Sequence, residues 1–358
     1  MVPLPEHYRR YIRPSQSKDG SALHGAQSTM PKLPTELSTL WARKYLEEVA
    51  SRSQVLDQGQ GRPVIDLVAA DSPERRAAIS DKILQELPFA VSRSLTLAHS
   101  LLANELRRQG INPRHLDPWQ LSADNRTLLE LVIENFCAGH TPEHLSAKGS
   151  RVFGQVRRNC TREDGRILGF FSLQLHHTIL DLLNQLEPGE RFTIAPYLKV
   201  MDDHINIPLQ DAYQAAAKHD LGSPALLAVQ ALLPQCTLIA QQACLQVRRR
   251  FSNHRTYTGS LRELSVANSS LRDAEMFIVY LCLCVLEEDI SSIQGELFPL
   301  CIMLYPTLKV SWDLVREMLW SVVQQMSERL STEHLQIFAP YLRLLNQLFS
   351  PELLHTNP

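Results

Sequence analysis

The chain has 358 residues, of which 44% are hydrophobic and 21% charged. That length holds roughly two domains, and that composition excludes a collagen-like, a largely disordered or a membrane-embedded chain. Lys+Arg (36) and Asp+Glu (38) nearly cancel to a net charge of -2, which argues against a partner recognised mainly by charge, whether nucleic acid or an anionic membrane.

Leu is the commonest residue and Gly supplies only 14. Leu favours the helix and Gly opposes it, so an all-α fold is expected. Residues 1–34 read as a disordered tail: Pro3, Pro5, Pro14, Pro31 and Pro34 punctuate a polar stretch that buries too little apolar surface to offset its ordering entropy. Leu37–Ser53 is amphipathic, with Leu37, Trp41, Tyr45 and Val49 on one side. A break at Gly59, Gly61 and Pro63 follows. Ser72-Pro73 opens the next helix, and Val91–Gly110 reads as a further one. Asn112–Pro118 is a connector, Leu128–Cys137 a short buried helix, Thr141-Pro142 another helix start, and Arg157–Gly165 a polar loop.

Beyond that loop the helical signal strengthens. Leu168, Phe171, Leu175, Ile179, Leu182 and Leu186 share one face of a helix that stops at Pro188-Gly189. Ser223-Pro224 caps a long helix in which Pro234 predicts a kink or break. Leu271–Val285, Val315–Leu330 and Leu335–Leu348 carry three more apolar stripes. No convincing strand pair and no short repeat is read. Pro, Gly and charge coincide at Pro188-Gly189, so the domain boundary is placed there. The expected division is a tail 1–34, a helical domain 35–188, a second domain 189–335, and a C-terminal helix and tail 336–358.

Seven Cys at irregular spacing, most inside apolar stretches, read as buried reduced thiols. The N-terminus shows no signal peptide. The longest apolar run, Met276–Leu286, is too short for a bilayer, which needs about 20 residues. A cytoplasmic protein without a membrane span is expected.

Few constellations carry chemistry. Cys137, His140 and His144, with Cys160 further on, have part of a zinc spacing but no paired knuckle, so a buried Cys beside two surface His is preferred and no metal is expected. Adjacent His176 and His177 point about 100° apart on a helix and read as core or interface residues. Arg248-Arg249-Arg250, with Arg255 and Arg262, complements a helix C-terminus; without a groove-reading motif, nucleic acid is disfavoured. Glu287-Glu288-Asp289 reads as a solvated helix end. No phosphate loop, nucleophile elbow or H-E-x-x-H is found, so no enzyme is expected.

Four stretches between 197 and 330 stand in a telling order: Val229–Val247; Arg255-Thr256-Tyr257-Thr258; Asn268-Ser269-Ser270-Leu271-Arg272-Asp273 running into Tyr280-Leu281; and Leu286–Asp289 with Leu304–Val310. Together they resemble the phycobiliproteins, the helical, globin-like light-harvesting subunits of cyanobacterial phycobilisomes. The first resembles the family's second long helix, A-x-x-L followed by I-V-x-x-A. The second is similar to its P-G-G-x-x-Y-T loop without the glycines. The third resembles A-A-C-[LI]-R-D, and the fourth its A-G-D and N-x-L-G-V-P. The helix Ser311–Leu330 parallels the last one.

The resemblance implies a phycobiliprotein-type globin domain over 189–335, joined to the helical N-terminal domain 35–188, whose family the residues do not reveal. In the family the Cys before L-R-D forms the thioether to the bilin. Ser270 stands in that place, and a hydroxyl cannot make that bond. Arg272 and Asp273 match the residues that pair with a bilin propionate and with the pyrrole nitrogens, so they are the candidate cofactor-binding residues. The expected function is a non-pigmented, phycobiliprotein-like interaction protein linked to phycobilisome assembly or its regulation in photosynthesis, without a covalent cofactor. Its expected partners are phycobilisome proteins or a second copy of itself. It would lie in the cytoplasm or peripherally on the thylakoid membrane through phycobilisomes. The alternative is a sensor that binds a bilin or another apolar ligand non-covalently through Arg272 and Asp273.

Overall fold

The computed structural model describes residues 37–45 and 72–351. The expected tail 1–34, the break at Gly59–Pro63 and the last seven residues lie outside the described residues.

Residues 37–45 form helix α1. Ser72 then caps α2 (Pro73–Arg108): its hydroxyl accepts the Arg75 N–H and Pro73 takes the first turn, where no N–H is needed. The expected separate helix at Val91–Gly110 is instead the second half of α2. Pro88 sits inside α2, yet Ile79, Ile83, Leu87, Ala90, Val91, Ala98 and Leu102 keep one buried stripe across it. Packing on both sides outweighs the hydrogen bond that an interior proline removes. A 3₁₀ turn (Pro113–His115) leads to α3 (Pro118–Cys137), capped by Asp117 and twice as long as the apolar core Leu128–Cys137 suggests.

Thr141 caps α4 (Pro142–Thr161), as expected. The polar stretch Arg157–Gly165 is corrected: Arg157 to Thr161 form the last turn of α4, and Arg157 is one of the largest fully buried side chains. Its guanidinium pairs with Glu296 at 2.7 Å and Asp211 at 3.4 Å and donates to the Tyr280 hydroxyl. Burial acts against its charge, but Glu296, Tyr280 and Asp211 outweigh it and hold the group protonated. These partners lie 53 or more residues away, so local sequence showed only the charge.

Next come α5 (Arg166–Asn184), α6 (Pro188–Asn206), α7 (Leu209–Ala216) and α8 (Pro224–Leu232). Pro234 breaks the predicted long helix as expected: a 3₁₀ turn (Leu233–Gln235) separates α8 from α9 (Cys236–Arg250). A two-residue ribbon follows, β1 (Arg255–Thr256) against β2 (Gly259–Ser260). The sequence did not predict it. Gly259, at φ 147, supplies the backbone that turns the chain at Tyr257-Thr258.

Helix α10 (Leu264–Glu287) runs through the centre and is buried from Ala274 to Leu286. It ends at Glu288 in the left-handed conformation, so the carboxylate-rich end is a helix stop. A π-helical turn (Ile293–Leu297) continues into α11 (Phe298–Leu304), then α12 (Trp312–Arg329, capped by Ser311) and α13 (Thr332–Leu348, capped by Ser331).

One hydrophobic core runs from Leu37 to Phe349. Helices on both sides of Pro188 share it: α5 packs on α11, α4 on α6, and α7 touches both α4 and α10. Gly165, just before α5, meets the π turn so closely that a methyl group would fall inside the Gly295 carbonyl oxygen. Among the described residues one helical stretch, Pro224–Arg250, is long and apolar enough by composition to cross a membrane; it is broken at Pro234 and partly buried in this core.

Candidate functional site

The ribbon, the first half of α10 and the segment after α11 enclose a cavity of about 110 Å³. The Tyr257 N–H donates to the Leu308 carbonyl at 2.9 Å, which ties the ribbon turn to that segment. Tyr257, Ser270, Arg272, Asp273, Leu308 and Val310 therefore line one space, although they come from three of the stretches that carry the family resemblance. The fourth wall comes from the other half of the chain: Ser172, Leu173, His176 and His177 of α5.

The three predicted residues sit on the first turns of α10. Ser270 donates its hydroxyl back to the Val266 carbonyl at 2.8 Å, four residues earlier on the same helix. Arg272 faces Asp202 of α6, and one terminal nitrogen donates to both of its carboxylate oxygens, at 3.1 and 3.0 Å. Its Nε and other terminal nitrogen donate to Asp273 Oδ1 at 3.3 and 2.9 Å. The Tyr305 hydroxyl donates to the other Asp273 oxygen at 3.3 Å. Asn206 donates to Asp202 at 3.1 Å and accepts from Ser172 at 2.6 Å. A continuous chain of polar contacts thus runs from α5 through α6 to α10 and Tyr305.

The electrostatics follow from this chain. Burial works against the Arg272 charge, but Asp202 and Asp273 outweigh it and raise its pKa above the ordinary value. Burial, then the Asp273 carboxylate, pushes the Tyr305 hydroxyl well up. Burial pulls His176 down to about 4 against the opposing pull of Asp202, so it stands neutral in the wall.

A linear tetrapyrrole, which the resemblance implies, would need a free guanidinium for a propionate, a carboxylate for pyrrole nitrogens, and room. Here every nitrogen of the Arg272 fork donates to Asp202 or Asp273, and both Asp273 oxygens accept from protein groups. The space is also well below the roughly 300–1,000 Å³ of small-molecule sites. The arrangement does not fit that group.

The other predicted constellations fall elsewhere. Cys137 is exposed and Cys160 buried, while His140 and His144 lie ring to ring with centroids 4.3 Å apart. Among the described residues no three metal-binding side chains come together. Arg248–Arg250 form the last turn of α9, and Arg250 pairs with Glu317 at 2.8 Å.

Sequence reasoning missed a second buried cluster beside the first. Lys44 of α1 pairs with Asp203 at 3.0 Å and Glu275 at 2.9 Å and lies over the Trp41 ring at 3.8 Å. Tyr45 and Lys199 also reach Asp203, and Thr237 donates to Glu275. Burial pushes Asp203 up, but Lys199 and Lys44 outweigh it and hold it below the usual carboxylate range. The i,i+4 spacing of Lys199 and Asp203 was the one local signal of this cluster.

The helices from α6 onward form an all-α, globin-like domain. Residues 199–348, the C-terminal part of the chain, match the model of the phycobilisome protein family. That family is a structural, light-harvesting one rather than a family of enzymes. No curated protein and no solved structure matches the chain.

Proposed function

We propose that this protein is a pigment-free, phycobilisome-linked interaction protein. The family match over 199–348 supports the link to light harvesting. The observation that carries the pigment-free reading is the commitment of Arg272 to Asp202 and Asp273; the sequence resemblance, which sets Ser270 where the family has its thioether-forming Cys, supports it. What the family spends on a chromophore, this chain spends on joining α10 to the helices before it. The domain then keeps a globin-like surface for assembly, while 72–188 adds a helical layer that shares its core.

No catalytic role is assigned, because the buried charged groups are neutralised by one another rather than aimed at an open space. The protein acts at the phycobilisome, in the cytoplasm or peripherally at the thylakoid surface, through protein contacts. Sedimentation velocity of the labelled protein with purified phycobilisome subunits tests this directly. Co-migration with at least one subunit is expected; migration alone with every subunit overturns the reading.

The sensor alternative retains one favourable observation, the apolar lining by Leu173, Phe277, Leu304, Leu308 and Met318. At about 110 Å³ that space suits a small apolar molecule rather than a tetrapyrrole.

A further inference from the structure

Ser270 also borders a second, larger depression of about 300 Å³ between α9 and the start of α10. On α9 its wall is Gln241, Gln242, Leu245 and Arg248; on α10 it is Ala267, Asn268 and Leu271. Both sets follow the three- and four-residue spacing of one helix face. The same spacing extends each face by a leucine held in solvent: Leu238 is 43% exposed and Leu264 76%. Leu261 and Met318 add to the apolar floor.

The charge of this groove has one sign. Arg248 lines it, and no Asp or Glu does. Arg249 adjoins it on α9, and Arg262 precedes α10; both are exposed. Neighbouring Arg250 and Arg255 have carboxylate partners in Glu317 and Glu263. Arg248, Arg249 and Arg262 have no ion pair among the described residues. In a chain of net charge -2, an unpaired basic rim around an apolar floor is a local feature. Three arginines beside partly exposed leucines suit an amphipathic protein segment better than a run of phosphates, which offers nothing to the floor.

We propose that this groove docks an amphipathic helix of a partner protein, with apolar anchors on the leucine floor and acidic residues against Arg248, Arg249 and Arg262. The proposal rests on the interaction reading above and names its surface. Fluorescence anisotropy with two labelled designed helices tests it, each about five turns long. One carries leucines at three- and four-residue spacing flanked by glutamates; the other has lysines in place of the glutamates.

The acidic helix is expected to bind, and the lysine helix to bind at least about tenfold more weakly. The double variant Arg248→Glu/Arg249→Glu is expected to reverse that preference. Leu264→Ser, at a solvent-facing position, is expected to weaken both helices. Equal binding of the two helices, an unmoved preference in the double variant, or displacement of the acidic helix by duplex DNA overturns the proposal. The sedimentation assay separates the two levels. If phycobilisome subunits bind wild type and Arg248→Glu/Arg249→Glu alike, the groove is wrong and the interaction reading stands. If no subunit binds wild type, the interaction reading falls and the peptide preference alone judges the groove.

Discussion

Arg272 donates to both carboxylate oxygens of Asp202, a residue 70 positions earlier in the chain. Their side chains are 12% and 22% exposed, so the pair is largely withdrawn from water. The contact fastens α10 to α6 at the place where the family resemblance would seat a pigment propionate.

The first prediction concerns this pair. Arg272→Gln strands Asp202 and Asp273 without their cation, at a cost of about 3 kcal/mol or more, while Asp202→Asn leaves Arg272 its second partner Asp273 and costs less. Both are expected to lower the urea midpoint, Arg272→Gln the more. The double variant should be less damaging than the sum, because Asp202 then no longer carries a charge for Arg272 to neutralise. A coupling near zero in the double-mutant cycle would show that the ion pair does not hold these helices.

Lys44 makes a parallel prediction for α1. It supplies the nearest positive charge to Glu275, whose side chain is 1% exposed. Lys44→Met removes the ammonium that lies over Trp41 and pairs with that carboxylate, which among the described residues keeps the Thr237 hydroxyl as donor. A loss of about 3 kcal/mol is expected in urea denaturation. The companion variant Lys44→Met/Glu275→Gln should recover much of it.

Glycine at the junction before α5 is tested by two substitutions that sequence alone treats as alike. A methyl group at Gly165 meets the Gly295 carbonyl, which is backbone and cannot rotate aside, whereas one at Gly295 meets nothing. Gly165→Ala is expected to destabilise by about 1–3 kcal/mol, through overpacking. Gly295→Ala should be neutral or mildly stabilising, because alanine restricts the unfolded chain. Thermal unfolding of the two variants side by side decides between them.

Acid sensitivity follows from buried neutral histidines. Burial pulls His204 down to about 3, where it faces the Ser146 hydroxyl at 2.9 Å. An unfolded histidine titrates near 6.5. Between those values the unfolded chain holds the extra proton, so stability is fully present above about pH 6.5 and falls as pH drops toward 3. The loss reaches about 2 kcal/mol at pH 5 from this residue, and His176, at about 4, adds in the same sense. Urea midpoints between pH 7.5 and 4.5 measure the slope. His204→Gln should flatten it; an unchanged slope would place the titration elsewhere.

Much of the helical fold is legible in the amino-acid order. The stripe Leu168–Leu186, the Ser223-Pro224 cap and the break at Pro234 each arise from interactions within a few residues, and each appears where expected. The union of Val91–Gly110 with the helix before it is not legible locally, because the buried stripe that carries the helix across Pro88 packs on the distant α3 and α5. The site was half legible. Ser270, Arg272 and Asp273 stand in a recognisable run. Asp202, Tyr305 and His176, which complete and close the cavity, carry no local mark of their partners. Arg157 is the same lesson: charge reads as exposure until distant carboxylates are brought to it.

The most direct test of the account is an absorption spectrum of the protein purified from bilin-producing cells, taken before and after denaturation in acidic urea. If Arg272 and Asp273 serve Asp202 and Tyr305, and Ser270 replaces the thioether, the protein has no visible absorbance in either state. Visible colour that stays on the denatured chain, or that is released from it, would contradict the pigment-free reading.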